Sequence, residues 1–458
     1  MWPVLLTAIV VIVATGALRL SAAESVGDSP VAQGPATSVS PTTTLSPATT
    51  VSPTTTTTAA PTTTVPINPA CLTVPDFSSV EGAAPTVGTP SELAQRIEEA
   101  LAHPGFADVE LSLSAWSEDL GEFATHQPDL QLEPASNQKL LVAFAANDAF
   151  APDGRLQTVF EKVGSDLVIR ASADPAISLA RLTTALDAVA TIETSFDSLV
   201  IDVSPFPQGP RAAGWFDWQI PQYVGPLSGF MIDNNRWTQS SEMVASPNEV
   251  NGERVIQLLG DRGVAVGDLV IAEVAPPPGD VLATIDSPTV DQLVRTMMLA
   301  SDNQHADLLL MELGRDAAGD GNLVAGANAI DAVLDGRCLD TEGVIDDGSG
   351  LSRDNRRSAR SFVEMLASIH GTPEGELLRS QLPVGGVSGT LSRRFSGAYG
   401  GRVFAKTGTI IGGRSLTGWA TTTTGDDVIF SILVNGEPEA AHASLGAIDA
   451  LVRTLVDS

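Results

Sequence analysis

The sequence predicts a mixed α/β (α+β) fold in which an antiparallel sheet flanked by helices is assembled from the two ends of the folded region, with a large inserted α+β, β-rich domain between them. Three observations predict it. Strand-like alternation of apolar and polar residues recurs near both ends of that region, a dense apolar helical pattern follows the first strands, and the stretch from about 156 to 284 has a texture of its own. That stretch is made of short Val/Leu/Ile-rich segments, the turn-forming run Pro205-Phe206-Pro207-Gln208-Gly209-Pro210, and the exit Pro276-Pro277-Pro278-Gly279.

Taken in order, Leu93, Ile97, Ala100 and Leu101 recur at helical spacing after the cap-like start Thr89-Pro90-Ser91, which predicts a helix from Ser91 to Ala102. Val109 to Trp116 and Glu122 to His126 alternate about the turn Ser117-Glu118-Asp119-Leu120-Gly121 and read as an antiparallel hairpin. Pro134-Ala135-Ser136 opens a second helix whose residues Leu140, Leu141, Val142, Phe144 and Ala145 are apolar enough for burial on all sides. Within the insertion, Ser178 to Ala190 and Glu249 to Arg262 carry helical patterns. Gly401 to Ala405, Leu416 to Thr423 and Val428 to Val434 read as three strands before a closing helix from about Pro438 to Val456.

Before this region the composition changes. Trp2 to Leu18 is almost uninterrupted apolar sequence ending before Arg19, and Ser21-Ala22-Ala23 offers small residues for cleavage, so 1–23 is either a signal peptide or a membrane tether through residues 2–18. Either way the remainder leaves the cytoplasm. Residues 24–85 follow as a disordered Thr/Pro-rich stalk, with Thr54 to Thr58 and prolines such as Pro41, Pro47 and Pro61 opposing any packed core. The domain boundaries expected are therefore 1–23, 24–85, a domain built from 86–155 and 285–458, and an insertion of 156–284.

A formal charge of −30 over 458 residues excludes a nucleic-acid partner, because phosphate contacts need a basic surface. Cys71 and Cys338 are the only cysteines, and in an exported chain such a pair is a candidate disulfide. The five histidines are scattered with no metal-ligand spacing, so neither a metal nor another cofactor is expected. Oligomeric state is not encoded in any pattern found.

Twenty-two of the 25 basic residues are Arg, which makes Lys139, Lys162 and Lys406 informative. Lys can give up its proton when desolvated, whereas Arg stays charged. In Ser136-Asn137-Gln138-Lys139 the helical spacing puts Ser136 and Lys139 on one face, so that a neutral Lys139 can take the proton of the Ser136 hydroxyl. The backbone N–H of Ser136, near a helix start, is free to hold an oxyanion. Ser301-Asp302-Asn303 lies between two apolar helical runs, Val290 to Leu299 and Ala306 to Leu313, where Ser301 can relay a proton and Asn303 can bind a substrate amide; a helix cap explains the same three residues. Lys406-Thr407-Gly408-Thr409 falls in an apparent strand. Its Gly408 marks a close approach to the backbone, for which a ligand is the natural candidate. The Lys406 ammonium and the Thr407 and Thr409 hydroxyls can hold a carboxylate, and the Thr409 N–H can complete an oxyanion site. Lys162 has no such setting.

The order Ser-x-x-Lys, Ser-x-Asn, Lys-Thr-Gly resembles that of the penicillin-interacting serine enzymes. The long insertion after the first element, together with Ile345-Asp346-Asp347-Gly348-Ser349-Gly350-Leu351-Ser352-Arg353 and Leu382-Pro383-Val384-Gly385-Gly386-Val387-Ser388-Gly389-Thr390-Leu391, is similar to the D-alanyl-D-alanine carboxypeptidase/endopeptidase family, the class C low-molecular-mass penicillin-binding proteins. The resemblance covers about residues 86–456. It implies a β-lactamase/transpeptidase-like domain from both chain ends, and a serine acyl-enzyme on peptidoglycan stem peptides that β-lactam antibiotics would also form. One departure is Ala173 in Ser172-Ala173-Asp174-Pro175, where the family usually has Gly. A serine β-lactamase-like hydrolase is the nearest alternative, but the insertion is foreign to it and no Glu-x-x-Leu-Asn segment lies between Asn303 and Lys406. A non-catalytic cell-wall-binding module is opposed by the intact triplets.

Overall fold

The computed structural model describes residues 90–207 and 209–458; the 1–23 segment, the whole of the predicted stalk and Cys71 lie outside the described residues. Helix α1 (Pro90–Leu101) leads into the hairpin β1 (Val109–Ser117) and β2 (Gly121–His126), then a 3-10 turn (Ala135–Asn137) and α2 (Gln138–Ala149). The insertion follows as β3 (Arg155–Val163), β4 (Asp166–Arg170), α3 (Leu179–Ile192), β5 (Ser195–Asp202), α4 (Ser241–Ala245), α5 (Pro247–Gly260), β6 (Ala265–Ala272) and β7 (Asp280–Thr289). Helices α6 (Val290–Ala300), α7 (Asn303–Ala318), α8 (Leu323–Gly336), α9 (Ala359–Ser368) and α10 (Pro373–Gln381) precede β8 (Val403–Ile410), β9 (Gly413–Thr421), β10 (Asp427–Gly436) and α11 (Pro438–Val456).

The two chain ends make one antiparallel five-stranded sheet in the order β2-β1-β10-β9-β8. Its joint is β1 on β10, with Val109 opposite Gly436 and Trp116 opposite Ile429. Alternation then sends side chains to opposite layers. Leu111, Leu113, Phe430 and Ile432 pack with Ile448, Leu451 and Leu455 of α11, while Trp116, Ile429, Leu433 and Trp419 join α2 and the central helices. Both faces are covered, so β1 is buried along seven consecutive residues rather than alternating.

The inserted strands form a second sheet, β6-β5-β4-β3-β7. It is mixed: β3 pairs antiparallel with β4 and β7, whereas β4-β5 and β5-β6 are parallel. Parallel pairs need crossover connections, and α3 and α5 supply them. Their residues Leu182, Leu186, Val255 and Leu259 bury Phe160, Ile169, Leu199 and Ile201. Lys162, unexplained by the sequence, reaches from β3 to make an ion pair at 2.5 Å with Glu193, the residue that ends α3.

Two local departures from the sequence pattern matter. The helix expected from Pro134 starts as a 3-10 turn, because Ala135 has φ +49°, a left-handed conformation that breaks regular α geometry. The strand expected at Gly401 to Ala405 begins at Val403, after Gly401 turns the chain at φ +75°, and runs on through Lys406, Thr407 and Gly408. Ala173, where the resemblance leads to an expectation of Gly, likewise has φ +43° and donates its N–H to Gly229 O at 2.8 Å, a left-handed conformation held at a steric cost. Cys338 is disulfide-bonded. No helix among the described residues is long and apolar enough to cross a membrane.

The approach to the 3-10 turn is fixed from β10, where Asn435 accepts the Glu133 N–H at 2.8 Å and returns its own amide to Glu133 O at 3.2 Å. Asn435→Ala removes both bonds and is expected to cost about 1–3 kcal/mol, read from urea or thermal unfolding of the variant against the parent protein.

Candidate active site

Ser136 sits in the 3-10 turn, partly accessible, with buried residues on either side. The turn is pinned to β9: Asn137 donates to Thr417 Oγ1 at 2.6 Å, and Ser415 Oγ donates to Pro134 O at 2.7 Å. Two glycines let the surroundings close on it. A Cβ on Gly350, which has φ +79°, would lie 1.9 Å from Ala135 O. A Cβ on Gly408 would lie 1.9 Å from Ser415 Oγ and 3.0 Å from Pro134 O. The close approach predicted at Gly408 is therefore present, but it is Ser415 of β9, with the serine turn just beyond it, that fills the space where a ligand was expected.

Lys139, the second residue of α2 and one turn after Ser136, is fully buried. Its Nζ donates to Ser136 Oγ at 3.0 Å, to Asn303 Oδ1 at 2.8 Å and to the Ser349 carbonyl. All three acceptors are uncharged. Burial pushes the ammonium down to about 8, against the opposing pull of Asp307, Asp347 and Asp302. Asn303 is oriented in turn by donating to Tyr223 O at 3.0 Å.

The Ser349 carbonyl belongs to the loop 346–352, which wraps around Asp347. The Asp347 carboxylate accepts from Trp215 Nε1 (2.6 Å), Gly350 N (2.7 Å), Asn355 Nδ2 (2.7 Å), Ser352 N (2.8 Å) and Ser349 Oγ (3.0 Å). Trp215 lies on an arm of the insertion, between β5 and α4. The same arm donates Gly214 N to Asp346 at 2.9 Å, Gln219 Nε2 to Leu351 O at 3.2 Å and Gly225 N to Gln304 at 2.6 Å. Nothing in the periodicity of the sequence signals this arm, because each contact joins residues far apart in the chain.

On the other side, Ser301 ends α6 in a left-handed conformation (φ 55°) and Asp302 caps α7 by accepting the His305 N–H at 3.0 Å. The cap expected for this triplet is thus formed by its middle residue, leaving Ser301 and Asn303 to face the cleft. Lys406 Nζ donates to Ser301 Oγ at 2.8 Å and to Thr407 O at 2.7 Å. Fully buried and bonded to a hydroxyl and a carbonyl, it is pushed well below the usual lysine range by desolvation and then by the charge of Lys139. Thr407 Oγ1 donates to Thr390 Oγ1 at 2.7 Å, a residue of the Leu382 to Leu391 segment that carries the family resemblance.

Ser136, Ser301, Asn303 and Thr409 line one cleft of about 820 Å³, with Tyr223, Leu351 and Ile410 among its walls. Lys139 and Lys406 lie beneath it, each bonded to one of its serines, so the three sequence elements converge. No group of three or more candidate metal ligands occurs among the described residues. A partly exposed hydroxyl over a desolvated amine, facing a strand that carries a second buried amine, can perform acyl transfer.

Fold and site define a serine peptidase of the penicillin-interacting class. The chain belongs to the D-Ala-D-Ala carboxypeptidase 3 (S13) family, whose model matches residues 93–243 and 237–456. It is 34% identical to the D-alanyl-D-alanine carboxypeptidase of Actinomadura sp. (strain R39) over 224 residues, 47% of this chain and 41% of that protein. With the carboxypeptidase DacB of Mycolicibacterium smegmatis it shares 26% identity over 418 residues, 85% of this chain and 89% of the other. The fold is similar to that of penicillin binding protein 4 from Haemophilus influenzae, with a TM-score of 0.67 and 21% identity over 80% of this chain and 98% of that one.

Because Gly408 is closed off by Ser415 and the serine turn, Gly408→Ala is expected to overpack the site by about 1–3 kcal/mol and to slow reaction at Ser136. Chemical unfolding and the rate of labelling by a fluorescent penicillin read the two effects.

Proposed function

We propose that this protein is a serine-type D-Ala-D-Ala carboxypeptidase/endopeptidase that acts on peptidoglycan stem peptides through an acyl-enzyme on Ser136 and is acylated by β-lactams. The observation that carries the reading is the buried Lys139 bonded to Ser136 Oγ at 3.0 Å. Its other two acceptors, Asn303 Oδ1 and the Ser349 carbonyl, can keep two N–H groups once one proton is lost, which leaves the amine lone pair directed at Ser136. Ser136 then attacks the carbonyl between the two D-alanines as its proton passes to Lys139. The backbone N–H groups of Ser136 and Thr409 hold the oxyanion, and Asn303 orients the acyl side.

Ser301 passes a proton to the departing amine as the C–N bond breaks, and water later hydrolyses the ester. The Lys406-Thr407-Thr409 strand binds the terminal carboxylate. An arriving anion would restore the charge that burial and Lys139 take from Lys406, which makes carboxylate binding and ammonium formation one event. Activity outside the cytoplasm, with 1–23 as a leader or membrane tether, 24–85 as a spacer, 156–284 as an inserted domain and Cys71 bonded to Cys338, completes the proposal.

Two outcomes test it. Purified protein should release D-Ala from a D-Ala-D-Ala pentapeptide and be labelled by fluorescent penicillin, whereas Ser136→Ala should do neither; an unlabelled parent protein would end the reading. Acylation needs neutral Lys139, so its rate should climb with pH to a plateau above about 8, the value burial gives that amine. Lys139→Arg should abolish labelling at every pH, because guanidinium keeps its proton.

A further inference from the structure

Asp307 lies on α7, one turn beyond Asn303, and is fully buried. Its Oδ1 accepts the N–H groups of Gly348 at 2.9 Å and Ser349 at 3.0 Å, while Oδ2 is buried with no hydrogen-bond partner. A carboxyl in that setting needs an explanation, since a buried unbonded polar atom costs about 1–3 kcal/mol. The two N–H groups it holds belong to the peptide units on either side of Gly348, immediately before the Ser349 carbonyl that receives Lys139. Gly348 leaves no slack, because a Cβ there would lie 2.6 Å from Ala306 O.

We propose that Asp307 is a positioning residue for acylation: by gripping the Gly348 and Ser349 amides it fixes the Ser349 carbonyl, which with Asn303 aims the lone pair of Lys139 at Ser136. This rests on Lys139 being the base, as argued above. The charged groups around Lys139 are Asp307 and Asp302 on or capping α7, Asp347 on the loop and Lys406 on β8. Asp347 holds five donors. Burial and the neighbouring Asp347 push the Asp307 carboxyl well up, and burial pushes Lys139 down, so each is shifted toward its neutral form. The grip itself is geometric, two amide N–H groups held by one carboxyl oxygen. An asparagine, which has the shape of a protonated aspartate and the same accepting oxygen, can replace it.

The test is the rate of acylation by fluorescent penicillin, followed from pH 5 to 10, in the full-length parent protein, Asp307→Asn and Asp307→Ala. Expected are a plateau rate above the pH midpoint for Asp307→Asn within about threefold of the parent, and at least a tenfold loss of that plateau rate for Asp307→Ala, because the Ser349 carbonyl is no longer held in place. Asp307→Ser, whose hydroxyl does not reach both amides, takes the place of the alanine variant if that one does not unfold cooperatively. Parent-like acylation in Asp307→Ala or Asp307→Ser, or a loss in Asp307→Asn equal to theirs, would overturn the assignment. Labelling of the parent protein at Ser136 separates either result from a failure of the peptidase reading itself.

Discussion

Everything at the site depends on keeping one amine dry. Lys139 is fully buried, and its three hydrogen-bond acceptors are a hydroxyl, a carboxamide and a backbone carbonyl. A carboxylate at any of these positions would favour the ammonium and remove the base. The acidic groups nearby, Asp307 and Asp347, are instead turned into the loop that supplies the carbonyl. Asp347 is occupied by five donors, so its charge is spent on ordering residues 349–352 and anchoring Trp215.

The antiparallel sheet gives this arrangement its precision. The serine turn is bonded to β9 through Thr417 and Ser415, and the segment before it to β10 through Asn435. Lys406 reaches the site from β8, the edge strand, where no further strand competes for the cleft. Two buried lysines thus approach the same cleft from a helix and from a strand. Burial first, and then the charge of Lys139, depresses Lys406.

Much of this was legible in the chain. The Ser136-Lys139 and Ser301-Asn303 spacings are short, and short spacings survive as patterns because local geometry alone brings their side chains together. The scarcity of lysine singled out Lys139 and Lys406 for the same reason that burial does: both positions use a property that arginine lacks. What was not legible is long-range. Asp307 meets Gly348 across 41 residues and Trp215 meets Asp347 across 132, and neither residue carries a local signature. The left-handed turn at Ala135 also escaped, since alanine there reads as an ordinary helix former. Gly408 was noticed for its type, but only packing showed that Ser415 occupies the space beside it.

The bond from Asn137 to Thr417 spans 280 residues, and the arm carrying Trp215 must meet a loop made later still than itself. Contacts of such separation form late, because the chain entropy of closing long loops is spent before they return anything. While the chain is being synthesised, Ser136 exists long before β8, β9 and the Asp347 loop. Its lysine neighbour is then solvated and fully charged, and the serine is an ordinary hydroxyl. On the mechanism proposed above, reactivity is acquired only on completion of the fold, so the discontinuous layout would act as a timer that keeps an unfinished molecule inert toward peptides and acylating drugs alike.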